Sequence, residues 1–281
     1  MQRLTTVLTT ALVAAGAGFA HADEVGGAVS TDSSAAMKDD GFVLPKGKLL
    51  LNVFLPIDLS TDAVGKPIDL SPDIWYGATD DLSVGLVHSG EGETGFIGSS
   101  LGRSLCLTGS DNGCAHFYNN IGLDGRYRLM KPLALDVGLY INSISDPFQL
   151  DLKIGLDGRW LFANGKASLE AQPSLLIGLT NRSVKDAMGN DVPSASNSEF
   201  LYVPLTGAYE VAPKLAIALQ LGLVLPFTAP GDTWAIPISI AARYAATPQL
   251  GLGLAFTFPD AIGGNSTADE RDLTLGGTYA F

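Results

Sequence analysis

The chain is 281 residues long, 46% hydrophobic and only 16% charged, with 33 glycines and a formal net charge of −12. An average soluble domain carries roughly 25% charged residues. So little charge beside so much glycine argues against a soluble helical enzyme, and the apolar content excludes a disordered chain. The acidic balance disfavours a nucleic-acid partner, which would be held through its phosphates.

Met1–Arg3 bring one positive charge, the stretch Leu4–Ala20 brings none, and Ala20-His21-Ala22 reads as a small-x-small cleavage site. This predicts a secretory signal peptide over residues 1–22. Residues 23–41 are small, polar and acidic and read as a mobile tail. The tail is taken to run to residue 45, and a single structural unit fills 46–281.

From residue 49 onward large apolar residues recur at every second position. One face collects Leu49, Leu51, Val53, Leu55 and Ile57. The next sets are Ile68 to Tyr76, Leu82 to Leu86, Ile121 to Tyr127, Leu133 to Ile141, and Leu150 to Trp160. They continue as Leu169 to Leu179, Leu201 to Tyr209, Leu215 to Leu225, Trp234 to Ile240, Leu250 to Phe258, and Leu273 to Phe281. A period of two places one set on each face of a strand. Wrapped as a helix, the leucines of Leu215–Leu225 would point to every side, and Gly222 and Pro226 would weaken it. The pattern predicts twelve strands.

Connections after even strands are tight, as at Thr79-Asp80-Asp81, Met130-Lys131-Pro132, Ala163-Asn164-Gly165, Ala212-Pro213 and Ala246-Thr247-Pro248. Those after odd strands are mostly longer and more polar, with 89–115 and 181–197 the longest. Each even strand also carries an aromatic residue on its apolar face near the tight turn: Tyr76, Tyr127, Trp160, Tyr209, Tyr244 and Tyr279. Loops sorted by end and a ring of amphipathic aromatics at one depth are the marks of a transmembrane barrel. Eleven residues at about 3.3 Å each, tilted about 40°, rise roughly 28 Å, enough to span the apolar band. Closure is required because lipid satisfies no open edge. The fold expected is all-β: a closed antiparallel transmembrane β-barrel of about twelve strands, with short periplasmic turns and longer extracellular loops.

The last eight residues, Thr274 to Phe281, read TLGGTYAF. They resemble the C-terminal β-signal of bacterial outer-membrane barrel proteins, with Thr274, Gly276, Tyr279 and Phe281 at the patterned places. The resemblance implies location in the cell outer membrane of a Gram-negative-type bacterium, contact with outer-membrane lipid and lipopolysaccharide, and the barrel assembly machinery as a transient partner. It names no solute.

Pro173, Pro204 and Pro237 fall inside strands, where proline removes a ladder hydrogen bond. They predict local bulges that threaten the inside/outside assignment beyond them.

The inward set of strands 4 to 7 holds Asp124, Arg126, Arg128, Asp136, Asp151, Lys153, Asp157, Arg159 and Glu170, five acids against four bases. IGLDGRY (121–127) and IGLDGRW (154–160) look like a duplicated hairpin, each sending an Asp-x-Arg pair inward. Strands 9 to 11 present small residues instead, among them Ala216, Ala218, Gly251 and Ala255. Asp58, Asp69 and Asp73 add acid and tilt the interior toward cations. Twelve strands lie between a filled and an open barrel. The expected function is a porin-like channel passing small solutes or ions through a narrow, charge-lined lumen, with no catalytic residue, metal or cofactor. The alternatives are a non-conducting structural or surface-interaction barrel, a lipid-acting barrel enzyme and a soluble lipocalin-like barrel.

An enzyme needs a base beside its nucleophile. His88-Ser89 is the only tempting pair, and His88 continues the apolar face of Leu82, Val84 and Leu86, which turns Ser89 the other way. Cys106 and Cys114 share the 89–115 loop, and an exported chain meets oxidising conditions, so a disulfide stapling that loop is expected.

Overall fold

The computed structural model describes residues 42–60, 66–88, 105–109, 116–144, 148–185, 188–193, 199–227, 231, 234–264 and 270–281. The signal peptide, the tail over 23–41 and Cys114 lie outside the described residues.

Twelve antiparallel strands follow in order. They are β1 (Leu49–Asp58), β2 (Asp69–Gly77), β3 (Leu82–Val87), β4 (Ile121–Met130), β5 (Leu133–Ser143) and β6 (Gln149–Phe162). Three strands come in two pieces: β7 (Ala167–Ala171 and Ser174–Gly178), β8 (Phe200–Tyr202 and Leu205–Ala212) and β9 (Leu215–Leu221 and Val224–Pro226). The last are β10 (Ala235–Ala245), β11 (Leu250–Gly263) and β12 (Asp272–Ala280). Each pairs with its sequence neighbours, and β12 returns to β1, from Leu50↔Ala280 to Asp58↔Asp272. The barrel is closed.

The alternation read from the sequence is the alternation of burial. On β9, Ile217 and Leu219 point outward and are exposed, while Ala216, Ala218 and Gln220 point inward and are buried. Leu252 and Leu254 on β11 and Leu275 on β12 extend the apolar exterior. A continuous apolar outer face of that extent has no place in water and fits a bilayer. The six aromatics near the tight turns all lie on this outer face. Trp160 lies flat over Gly158, where an added Cβ would come within 2.5 Å of the indole.

The strand prolines form one transverse line. Breaks at Gln172-Pro173, Val203-Pro204 and Gly222-Leu223 lie side by side on β7, β8 and β9, next to Pro237 on β10. Their carbonyls accept where their nitrogens have no proton to give: Leu156 N donates to Pro173 O (2.9 Å), Gln172 N to Pro204 O (3.3 Å) and Gly222 N to Pro237 O (3.0 Å). Glu170 and Leu176 stay inward on either side of the β7 break, as do Thr206 and Tyr202 on β8. The assignment of faces therefore survives the prolines.

Three features differ from the sequence expectation. Residues 42–45, assigned to the mobile tail, are ordered: Phe42, Val43 and Leu44 are buried inside the barrel. Four residues carry too short a pattern to mark them as structure, but the lumen offers them apolar partners. His88 does not continue the outer face of β3, because the strand ends at Val87. Its ring turns to Pro72 O (Nδ1, 2.5 Å) and Tyr118 Oη (Nε2, 2.9 Å). Finally, the long loop after β3 folds back, with Leu105–Cys106 pairing to Asp69 and Leu70 of β2.

Candidate functional site: the lumen

Of the nine charged residues placed inward by the alternation, Asp124, Asp136, Asp151, Lys153, Asp157, Arg159 and Glu170 are buried and Arg126 and Arg128 are half-buried, and they pair in several local groups. The two matching stretches place Asp124 and Arg126 on β4 and Asp157 and Arg159 on β6, with Asp136 on the intervening β5. Arg126 Nε lies 2.7 Å from Asp157 Oδ2, which couples the two copies directly. Lys153 Nζ bridges Asp136 (2.5 Å) and Asp124 (3.4 Å), and Tyr140 donates its hydroxyl to Asp124 Oδ2 (2.6 Å). Arg159 Nε meets Glu170 Oε1 at 3.1 Å. Arg128 reaches Asp81 in the β2–β3 turn (3.8 Å), and Asp151 accepts from Asn142. Charges removed from water need such partners. Gly138 makes room for this packing, since a Cβ there would sit 2.8 Å from Asp124 and from the Tyr140 ring.

The sequence reading missed a fifth base. Arg243, two positions beyond Ala241 on β10, is buried with Nη1 3.9 Å from Glu170 Oε1. The alternation Ser239, Ala241, Arg243 contained the signal. With it the inward-facing set of β4 to β7 and β10 holds five acids and five bases. The composition of the wall formed by β12, β1 and β2 is different. The inward positions of β1, β2 and β12 carry Asp58, Asp69, Asp73 and Asp272 and no lysine or arginine. At the long-loop end, burial and then the carboxylates of Asp260, Asp272 and Asp58 push the Glu270 carboxyl above the usual range.

The second surprise is apolar. Leu50, Trp75, Val87, Tyr140, Leu176 and Tyr202 all point inward and pack as one cluster, which Leu44 of the N-terminal segment joins. That segment is pinned to the wall. Leu44 N donates to Ser83 Oγ (2.7 Å), Gly47 N to Gly77 O (2.8 Å), and Gly77 N to Lys48 O (2.9 Å). A Cβ on Gly77 would lie 2.0 Å from Pro45 O. Glycine at that place is what lets the segment pass.

Two solved structures share this architecture across nearly their whole length. The NanC porin is 9% identical with a TM-score of 0.51, and the match covers 82% of this chain and 98% of that one. An outer membrane channel of Pseudomonas putida F1 is 13% identical with a TM-score of 0.51, covering 85% of this chain and 97% of that one. This is the fold of an outer-membrane β-barrel. No family model matches the sequence, and no curated protein matches it.

Within this outer-membrane barrel fold the inner wall sorts into a neutralised ionic belt, an acidic wall, a small-residue wall and an apolar cluster. Ala208, Ala218, Ala241 and Ala255 pack together on the small wall. Such a lumen can hold a column of water and ions only where the N-terminal segment does not fill it.

Proposed function

We propose that the protein is a narrow outer-membrane channel with a preference for cations, its lumen narrowed by its own N-terminal segment. The observation that carries this reading is the acid excess of the β12–β1–β2 wall beside an ionic belt that is already neutral. Negative walls raise the local cation concentration along a narrow path. Purified protein reconstituted into a planar bilayer is expected to show discrete conductance steps and, under a KCl gradient, a reversal potential of the sign that favours potassium. The double change Asp69→Asn and Asp73→Asn should move that potential toward zero. Steps with a chloride-favouring potential would overturn the selectivity.

The mouth should respond to pH. Glu270, with its raised carboxyl, takes up its proton before an ordinary exposed carboxylate does as pH falls. Cation preference is therefore expected to begin declining in mildly acidic solution, and Glu270→Gln should remove the upper part of that decline.

The second reading, a closed structural barrel, is favoured by the burial of Phe42–Leu44 and of the ion pairs, and absence of steps in every variant would establish it. An enzymatic role finds little support. Ser89 lies outside the described residues, and both ring nitrogens of His88 are engaged by Pro72 O and Tyr118 Oη. Neither remains to activate a serine.

The C-terminal strand supports assembly by the β-signal route. Tyr279 and Phe281 face outward and meet edge to face at 4.7 Å, as girdle residues do. Deleting Phe281 is expected to lower the yield of membrane-inserted barrel in cells without changing the fold of what is refolded in detergent. Heat-modifiable mobility on gels reads both. The Cys106–Cys114 pairing remains part of the proposal, with Cys106 buried against the β2 rim.

A further inference from the structure

Phe42 occupies a seat made of charged side chains. The Arg159 guanidinium lies 4.3 Å from the Phe42 ring centroid, and Arg126 lies 5.3 Å from it on the way to Trp75, whose ring it covers at 3.9 Å. Guanidinium planes stack on aromatic faces, the more strongly when water is excluded.

This seat does not depend on Phe42 for its shape. Arg126 pairs with Asp157 (2.7 Å) and Arg159 with Glu170 (3.1 Å), while both guanidinium groups also stack on Phe42 and that of Arg126 on Trp75. Trp75 is fixed too. A Cβ on Gly85 would sit 2.6 Å from its indole, so the glycine of β3 is what lets the ring lie against the wall. Both arginines already have counter-charges, so the seat asks its occupant for a flat π surface and not for a charge. From Trp75 the apolar cluster continues through Tyr140 and Leu176 to Tyr202, toward the long-loop end. An outer-membrane lumen is ordinarily polar along its length. Here an apolar strip leads from that end to the stacked arginines.

We propose that the Phe42 seat is a binding site for small uncharged aromatic solutes, which Phe42 occupies in their absence. A solute and the N-terminal segment then compete for the same guanidinium faces. This inference rests on the channel reading for its physiological sense, but binding at the seat is measured without any current.

The test uses the mature protein in detergent with Trp160→Phe and Trp234→Phe, which leaves Trp75 as the sole tryptophan. Benzyl alcohol is titrated against cyclohexylmethanol, its saturated counterpart of similar size, and Trp75 emission is followed. Benzyl alcohol should change the emission saturably, and cyclohexylmethanol should not. If Phe42 fills the seat about nine-tenths of the time, Phe42→Ala should tighten the apparent affinity roughly tenfold. Equal affinity with and without Phe42, or the same response to both alcohols, would overturn the proposal. Saturable binding in a protein that passes no current would sink the channel reading and leave the site standing.

Discussion

A chain that begins at Lys46 is expected to show several-fold higher single-channel conductance in planar bilayers than one that retains residues 42–45. Leu44 packs with Leu50 and Trp75, and the described attachments of residues 42–45 are few: Leu44 N to Ser83 Oγ, Lys48 N to Pro45 O, and the stacking of Phe42 on Arg159 and Arg126. None of these belongs to the ladder that closes the barrel, so their loss leaves the twelve strands paired. A gentler version needs one methyl group. Gly77→Ala puts a Cβ where Pro45 O now lies, 2.0 Å away, and β2 tolerates alanine at that backbone position. That variant should open longer and more often than wild type while keeping its heat-modifiable mobility. Unchanged conductance in both variants would mean that the segment does not restrict the path.

Lys153→Met should be the most destabilising single change in the lumen. Lys153 is the cation that Asp136 and Asp124 share, at 2.5 and 3.4 Å, and both carboxylates are almost wholly buried. Removing one member of a buried ionic group costs about 3–5 kcal/mol, because the survivors keep their desolvation and lose their compensation. The midpoint of urea unfolding in detergent, followed by tryptophan emission, should fall accordingly. Adding Asp136→Asn to Lys153→Met should recover part of the loss, since one of the stranded charges is then gone. A neutral Lys153→Met would show that water reaches this group and screens it.

The barrel was legible because its two solvents, lipid and lumen, demand opposite residues at alternate positions. Leu215 to Leu225 alone displays that demand, and the six outward aromatics locate the ends of the strands. The inward charges followed from the same parity, and Arg243 was readable by it as well. What could not be read is contact across the lumen. Nothing in a period-two pattern says that Arg126 meets Asp157 rather than Asp136, or that Phe42 stacks on Arg159. The apolar cluster was hidden for a related reason: Leu176 and Tyr202 lie on different strands, each flanked by apolar residues of the outer face, and become a surface only when the sheet curls. The N-terminal segment escaped because four residues have no periodicity to show. His88 was misplaced because alternation was extended one residue past the end of β3.

The ion pair between Arg126 and Asp157 joins the matching seven-residue stretches 121–127 and 154–160 of two hairpins. A unit that offers both an acid and a base from one edge is self-complementary, so a second copy arrives with a counter-ion waiting. Enlarging such a ribbon protein by gene duplication then exposes no stranded charge at the moment the cylinder widens. A barrel of this kind can grow by hairpins whose Asp-x-Arg stretch brings its own counter-ion.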